Sequence, residues 1–130
     1  MNAVEAGLLA KLNAASIAGQ NGVFLHLATQ GTALPYILMR PVTGISDGSN
    51  TRDMENYQYD VIAVGSIDAS PAAAGTIANA IDTALDGQTI TVSGYTLVGE
   101  VRRVRRVELR DAEAYYRGAT YELTVSKAAP

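Results

Sequence analysis

Five arginines, Arg102, Arg103, Arg105, Arg106 and Arg110, crowd one stretch of the chain, with Glu108 the single acid among them. Guanidinium groups at this density hold phosphate or carboxylate, often through paired N–H···O contacts. Two readings stay open. The charges can guard an edge strand against unwanted pairing, or they can form a basic surface for phosphate or for an acidic partner subunit. Among the binding options a protein partner comes first, because no aromatic residue interleaves Arg102, Arg103, Arg105 and Arg106 to stack bases. On a regular strand Arg103 and Arg105 would share one face and Arg102 and Arg106 the other.

Other reactive types are sparse. His26 is the only histidine and stands between Leu25 and Leu27. A general base needs a nucleophile and an orienting partner, and no pattern supplies either, so His26 reads as a partly buried strand histidine with a satisfied hydrogen bond. Asp47, Asn50, Arg52, Asp53 and Glu55 crowd a mid-chain loop. Their spacing does not follow the alternating ligands of a calcium loop, which leaves a solvated loop in which Asp47, Asn50, Arg52 and Asp53 are candidate partner contacts. Asp82 and Asp86, four residues apart, read as a polar helix stripe. There is no HExxH, P-loop or G-x-G-x-x-G. The sequence therefore points to no catalytic residue, metal or cofactor, and not to an enzyme.

The whole chain constrains what these residues can do. Its 130 residues suit a single domain, and no cysteine is present for a disulfide or thiolate metal site. No apolar run approaches the ~18 residues that suggest a membrane span, and Met1–Ala15 lacks the layout of a signal peptide. Much of the apolar content is alanine and valine, so burial per residue is modest and partner contacts are expected to help complete the fold. Charge is segregated. Residues 1–100 hold three basic and nine acidic side chains, a net of −6, while residues 101–130 hold seven and four, a net of +3.

Local signals give the elements that carry these groups. Asn2 and Glu5 form a capping box for a helix from Ala3 to about Ile17, with Leu8, Leu12 and Ala15 in register and Gly19 as its stop. Val23–Leu27 and Pro35–Arg40 read as strands, with Pro41 closing the second. Residues 42–56 read as a mobile loop. Tyr57–Ser66 alternates as a strand, Tyr57, Tyr59, Val61, Ala63 and Gly65 on one face and Gln58, Asp60, Ile62 and Val64 on the other. Ser70-Pro71 is a cap-and-first-turn pair opening a helix to about Asp86, and Gly87 ends it. Thr89–Val92 reads as a short strand. Tyr95–Leu109 and Ala119–Ser126 read as long strands joined by a loop near Asp111–Tyr115, and residues 127–130 as a frayed tail. Val98, Val101, Val104 and Val107 recur every three residues, which fits neither the strand period nor the helix period and implies a bulged or strongly twisted strand. The expected fold is α+β, a mostly antiparallel sheet with two helices packed on one face.

The linear order resembles the tail completion, or tail terminator, proteins of long-tailed bacteriophages. Carrying the resemblance are the N-terminal helix before Gly22-Val23-Phe24-Leu25-His26-Leu27 and the strand start Leu34-Pro35-Tyr36-Ile37. Tyr57-Gln58-Tyr59-Asp60-Val61-Ile62-Ala63-Val64, leading to the helix Ala72–Leu85, and the closing strands through Arg102–Arg106 and Tyr121–Val125 complete it. The resemblance spans about residues 3–126 and lies in order and spacing. It implies a homo-oligomeric ring, commonly a hexamer, at the head-proximal end of the tail. Such a ring is assembled in the host cytoplasm, ends tail-tube polymerisation and offers a surface to head–tail connector proteins. DNA would meet it only in passing through the ring, and no membrane is involved. A different head–tail joining or minor virion subunit, or a small ligand-binding or enzymatic α+β domain, are the rival readings.

Overall fold

A computed structural model describes residues 2–26, 31, 33–42, 54–67 and 71–127. In chain order the elements are α1 (Ala3–Ala14), β1 (Val23–Leu25), β2 (Tyr36–Pro41), β3 (Met54–Ser66), α2 (Pro71–Leu85), β4 (Tyr95–Arg110) and β5 (Ala114–Lys127). The fold is α+β. Its five strands lie in the order β1-β2-β3-β5-β4, the β1–β2 pair parallel and the other pairs antiparallel.

The capping box forms as expected. The Asn2 side chain accepts the Glu5 N–H at 2.8 Å, and the Glu5 carboxylate accepts the Asn2 N–H at 3.0 Å. The helix ends earlier than its composition suggests. Ser16 turns the chain with φ +50, and Ile17 drops into the core instead of extending α1. Val4, Leu8 and Leu12 are buried.

β3 is the centre of the sheet, paired with β2 on one side and β5 on the other. The expected alternation is seen. Tyr57, Tyr59, Val61 and Ala63 join one large core with Val4, Leu8 and Leu12 of α1 and Ile77, Ile81 and Leu85 of α2. Ile62 and Val64 point into a second, smaller cluster with Ala114, Tyr36, Leu38, Val107 and Tyr116. Small residues let α2 approach the sheet closely, for a Cβ on Gly65 would stand 3.1 Å from the Ala74 Cβ.

Several boundaries differ from the sequence reading. Met54–Asn56 is strand, paired with Ser126–Thr124, so the loop expected to reach Asn56 ends sooner; residues 43–53 of it lie outside the described residues. Residues 27–30 and Ser70, the proposed helix cap, also lie outside them, as does nearly all of the expected frayed tail (residues 128–130). Thr89–Val92 is not a strand. Ile90 and Val92 are buried as plugs of the large core, so their apolar character reports burial without ladder pairing. β5 starts at Ala114 rather than Ala119, and its link to β4 shrinks to Asp111–Glu113. Asp111 makes so short a connection possible, its carboxylate accepting the Glu113 and Ala114 N–H groups at 2.7 and 2.8 Å and the Tyr116 hydroxyl at 3.0 Å. Those donors hold its carboxyl below the usual range.

Candidate assembly surface

β4 is an edge strand of sixteen residues, and the arginine ribbon lies along it. Its register against β5 breaks twice, between Val98 and Arg102 and between Arg103 and Arg105. The breaks account for the three-residue valine period. Val101 is buried in the large core and Val107 packs against the smaller one, while Val98 and Val104 stay exposed. The four valines thus occupy three different environments. A bulge, not a continuous face, is what the spacing encodes.

The bulge at Val104 also reassigns the arginines. Arg103 pairs opposite Tyr121 and Arg106 opposite Ala119, both residues of the large-core side. Arg102 and Arg105 stand opposite Glu122 and Thr120, on the other side. The regular-strand pairing of Arg103 with Arg105 and of Arg102 with Arg106 is therefore corrected, because one extra residue in a two-residue period exchanges the faces beyond it.

The four sequence-selected arginines have unequal roles. Arg103 is structural. Its guanidinium meets Asp82 at 2.8 Å, its backbone N–H donates to Asp86 at 2.9 Å, and the buried Tyr121 hydroxyl donates to Asp82 at 3.0 Å. Burial, and then the Asp82 bond, pushes the Tyr121 phenol well above its ordinary range. Asp82 and Asp86 are thus a clamp from α2 onto β4 rather than a solvated stripe. Arg102 makes a loose ion pair with Glu100 at 3.7 Å. Arg105 donates to Thr120 at 3.2 Å, Thr120 to Asp60 at 2.6 Å, and Arg40 lies 3.7 Å from Asp60, a polar row across β4, β5, β3 and β2. Arg106 is exposed and has no ion-pair partner among the described residues. Asp47, Asn50, Arg52 and Asp53 lie outside the described residues.

The edge of β4 is covered over only part of its length. Gly87 donates to the Val101 carbonyl and Val101 to the Gln88 carbonyl, each at 2.8 Å, so the segment after α2, with Asp86, occupies the edge at Val101 and Arg103. Gly87 holds φ +74 there, the left-handed conformation that lets the helix end and the chain run along β4. Beyond Arg103 come Val104, 51% exposed, and Leu109, 58% exposed; with Val98 at 43% they are the exposed large apolar residues among those described. All three are on β4. Arg110 lies over the Tyr115 ring at 5.3 Å. Sequence reading missed Val104 and Leu109 as surface residues. The signal was present in their arginine and glutamate neighbours, but valine and leucine in a strand pattern read as core.

His26 is not mid-strand. β1 stops at Leu25, and His26 adopts φ +69, its side chain 57% exposed with Nε2 3.9 Å from the Glu5 carboxylate. Glu5 is buried and accepts the Tyr59 hydroxyl at 3.0 Å. Burial, reinforced by Glu5 against an opposing Asn2 contact, pushes the Tyr59 phenol up to about 12. Among the described residues no three histidine or carboxylate groups gather as a metal site, and no helix is long and apolar enough to cross a membrane.

Fold and surface define the class: a small α+β protein whose displayed chemistry is a basic, partly apolar edge strand. Comparison with known families makes it particular. The family described as tail completion protein gp17 matches residues 2–125, and the chain belongs to that family. Membership carries a structural role in a phage tail. A chain from the virion of a native gene transfer agent particle is similar in fold, with a TM-score of 0.66 at 22% identity, over 95% of this chain and 94% of that one. A second solved chain superposes with a TM-score of 0.59 at 16% identity, covering 98% and 93%. No curated protein matches the sequence.

Proposed function

We propose that the chain is the tail terminator subunit, forming a ring, of six copies as the resemblance implies, that ends the tail tube at its head-proximal end and presents the head-attachment surface. The family match over residues 2–125 carries the reading. Its partners are further copies of itself, the tail tube protein and head–tail connector proteins, with assembly in the host cytoplasm and DNA passing only through the ring. Catalysis has no part in it. The sheet supports such a role because its two edge strands, β1 and β4, differ in length and composition. Unlike surfaces on opposite sides of a subunit suit the heterologous contacts from which rings close.

Electron microscopy of the purified protein, alone and mixed with tail tubes, tests this. Rings seated on one end of each tube are expected. A subunit that stays monomeric and ignores tubes would overturn it, and rings that bind connectors but not tubes would replace it with a head–tail joining role.

A further inference from the structure

We infer that the uncovered half of β4, Val104–Arg110, is where a second copy of the chain docks, edge to edge, through residues within 1–100. The inference rests on the ring reading and names the surface that would make it.

Three observations converge. First, the edge carries no cover from the described residues beyond Arg103. Asp86, Gly87 and Gln88 occupy it at Val101 and Arg103. A free strand edge offers a row of backbone donors and acceptors to another chain. Second, Val104 and Leu109, the two most exposed large apolar residues described, both lie on this half. Leu109 stands opposite Tyr116 at the hairpin end and lines two hollows of about 330 and 380 Å³, one with Tyr116 and one with Tyr115. An apolar knob among tyrosines and arginines has the composition of an interface centre. Third, the charge says what sits there. Among the described residues Arg106 makes no ion pair and Arg105 meets only a neutral hydroxyl. Two such arginines repel a second β4, which disfavours symmetric pairing of like edges, and attract carboxylates. The part of the chain outside the ribbon, residues 1–100, carries a net of −6. The other open edge of the described sheet, β1, belongs to that part and reads Val-Phe-Leu, with no charge of its own to block pairing.

The test uses the full chain and reads self-association by sedimentation velocity and rings by electron microscopy. Val104→Glu with Leu109→Glu, and separately Arg106→Glu, should each weaken association at least tenfold. Val98→Glu, an exposed change on the other side of the covered stretch at Val101 and Arg103, should alter it less than twofold. Circular dichroism and thermal melts confirm that each variant folds, and Leu109→Ser serves as a milder second variant if the double change does not. Because the chain lacks cysteine, single cysteines are clean probes. Cysteine at Leu109 in one copy and at Leu25 in another should join through a short bismaleimide, while Leu109 cysteines should not join each other. Wild-type rings unaffected by the Val104, Leu109 and Arg106 changes would overturn this surface and leave the ring reading standing. Prominent joining between two Leu109 cysteines would overturn the edge-to-edge order. A wild-type chain that never self-associates, even with tubes present, would overturn both.

Discussion

β3 and β4 are both long strands, yet they solve opposite problems. β3 is paired on both sides without a break, thirteen residues against β5 alone, and its apolar residues feed two separate clusters. A one-residue slip there would exchange Val61 with Ile62 and put Asp60 toward the helices, so both faces hold the register. β4 is paired on one side, breaks register twice, and is pinned by four hydrogen bonds from the last turns of α2 and the residues just after it. The difference shows where this molecule is free to display chemistry. A strand whose neighbours do not occupy both edges can bulge, and a bulge lets charged and apolar residues alternate without a buried side to satisfy.

The largest expected effect breaks the regular half. A Cβ on Gly118 would collide with the Val61 carbonyl oxygen and stand 2.7 Å from the Ile62 Cα, where backbone must move. Gly118→Ala should cost on the order of 3 kcal/mol or more, read as the loss of the denaturation midpoint; a wild-type midpoint would contradict the close β3–β5 approach. Next is the clamp. Asp82→Ala leaves the buried Tyr121 hydroxyl and the Arg103 guanidinium without their shared acceptor, for about 2 kcal/mol of stability, and Arg103→Ala in the same background should add little, because the pair is coupled. Additive losses measured by chemical denaturation would mean the two act independently.

A smaller effect appears at high pH. The Tyr59 and Tyr121 phenols are raised in the folded chain above their ordinary 10.0. Folding therefore keeps protons that the unfolded chain would release. Their contribution is complete below pH 10 and is lost as pH rises through about 12 for Tyr59 and beyond for Tyr121. Tyr59→Phe should lower stability near neutral pH and flatten this alkaline fall, and an unchanged alkaline slope would show that the phenol is not the group released. The smallest effect belongs to the open half of β4. Leu109→Glu should change the isolated subunit's stability by no more than about 0.5 kcal/mol while it disrupts association; a large loss in melting temperature would place Leu109 in the core.

Much of the scaffold was legible because its causes are local. The Asn2–Glu5 box, the α2 span with Gly87 beyond it, and the alternation of β3 each follow from a few adjacent residues. The family was legible from the order of such elements. What adjacent residues could not report was which sheet position each strand takes. Val101 and Val104 have the same side chain and charged flanks, yet one is buried and the other half exposed, because the register against β5 shifts around them and the residues after α2 meet the edge only at Val101 and Arg103. Likewise Asp82 and Asp86 look solvated along the helix and become a clamp only when Tyr121, thirty-nine residues away from Asp82, arrives beside it. The order of residues alone determined that arginine would be concentrated in one ribbon and that charge would divide between body and ribbon. Tertiary structure alone decided that Arg103 is spent inside the subunit while Arg106 faces outward, since hydrogen bonds and edge cover depend on contacts that no local pattern records.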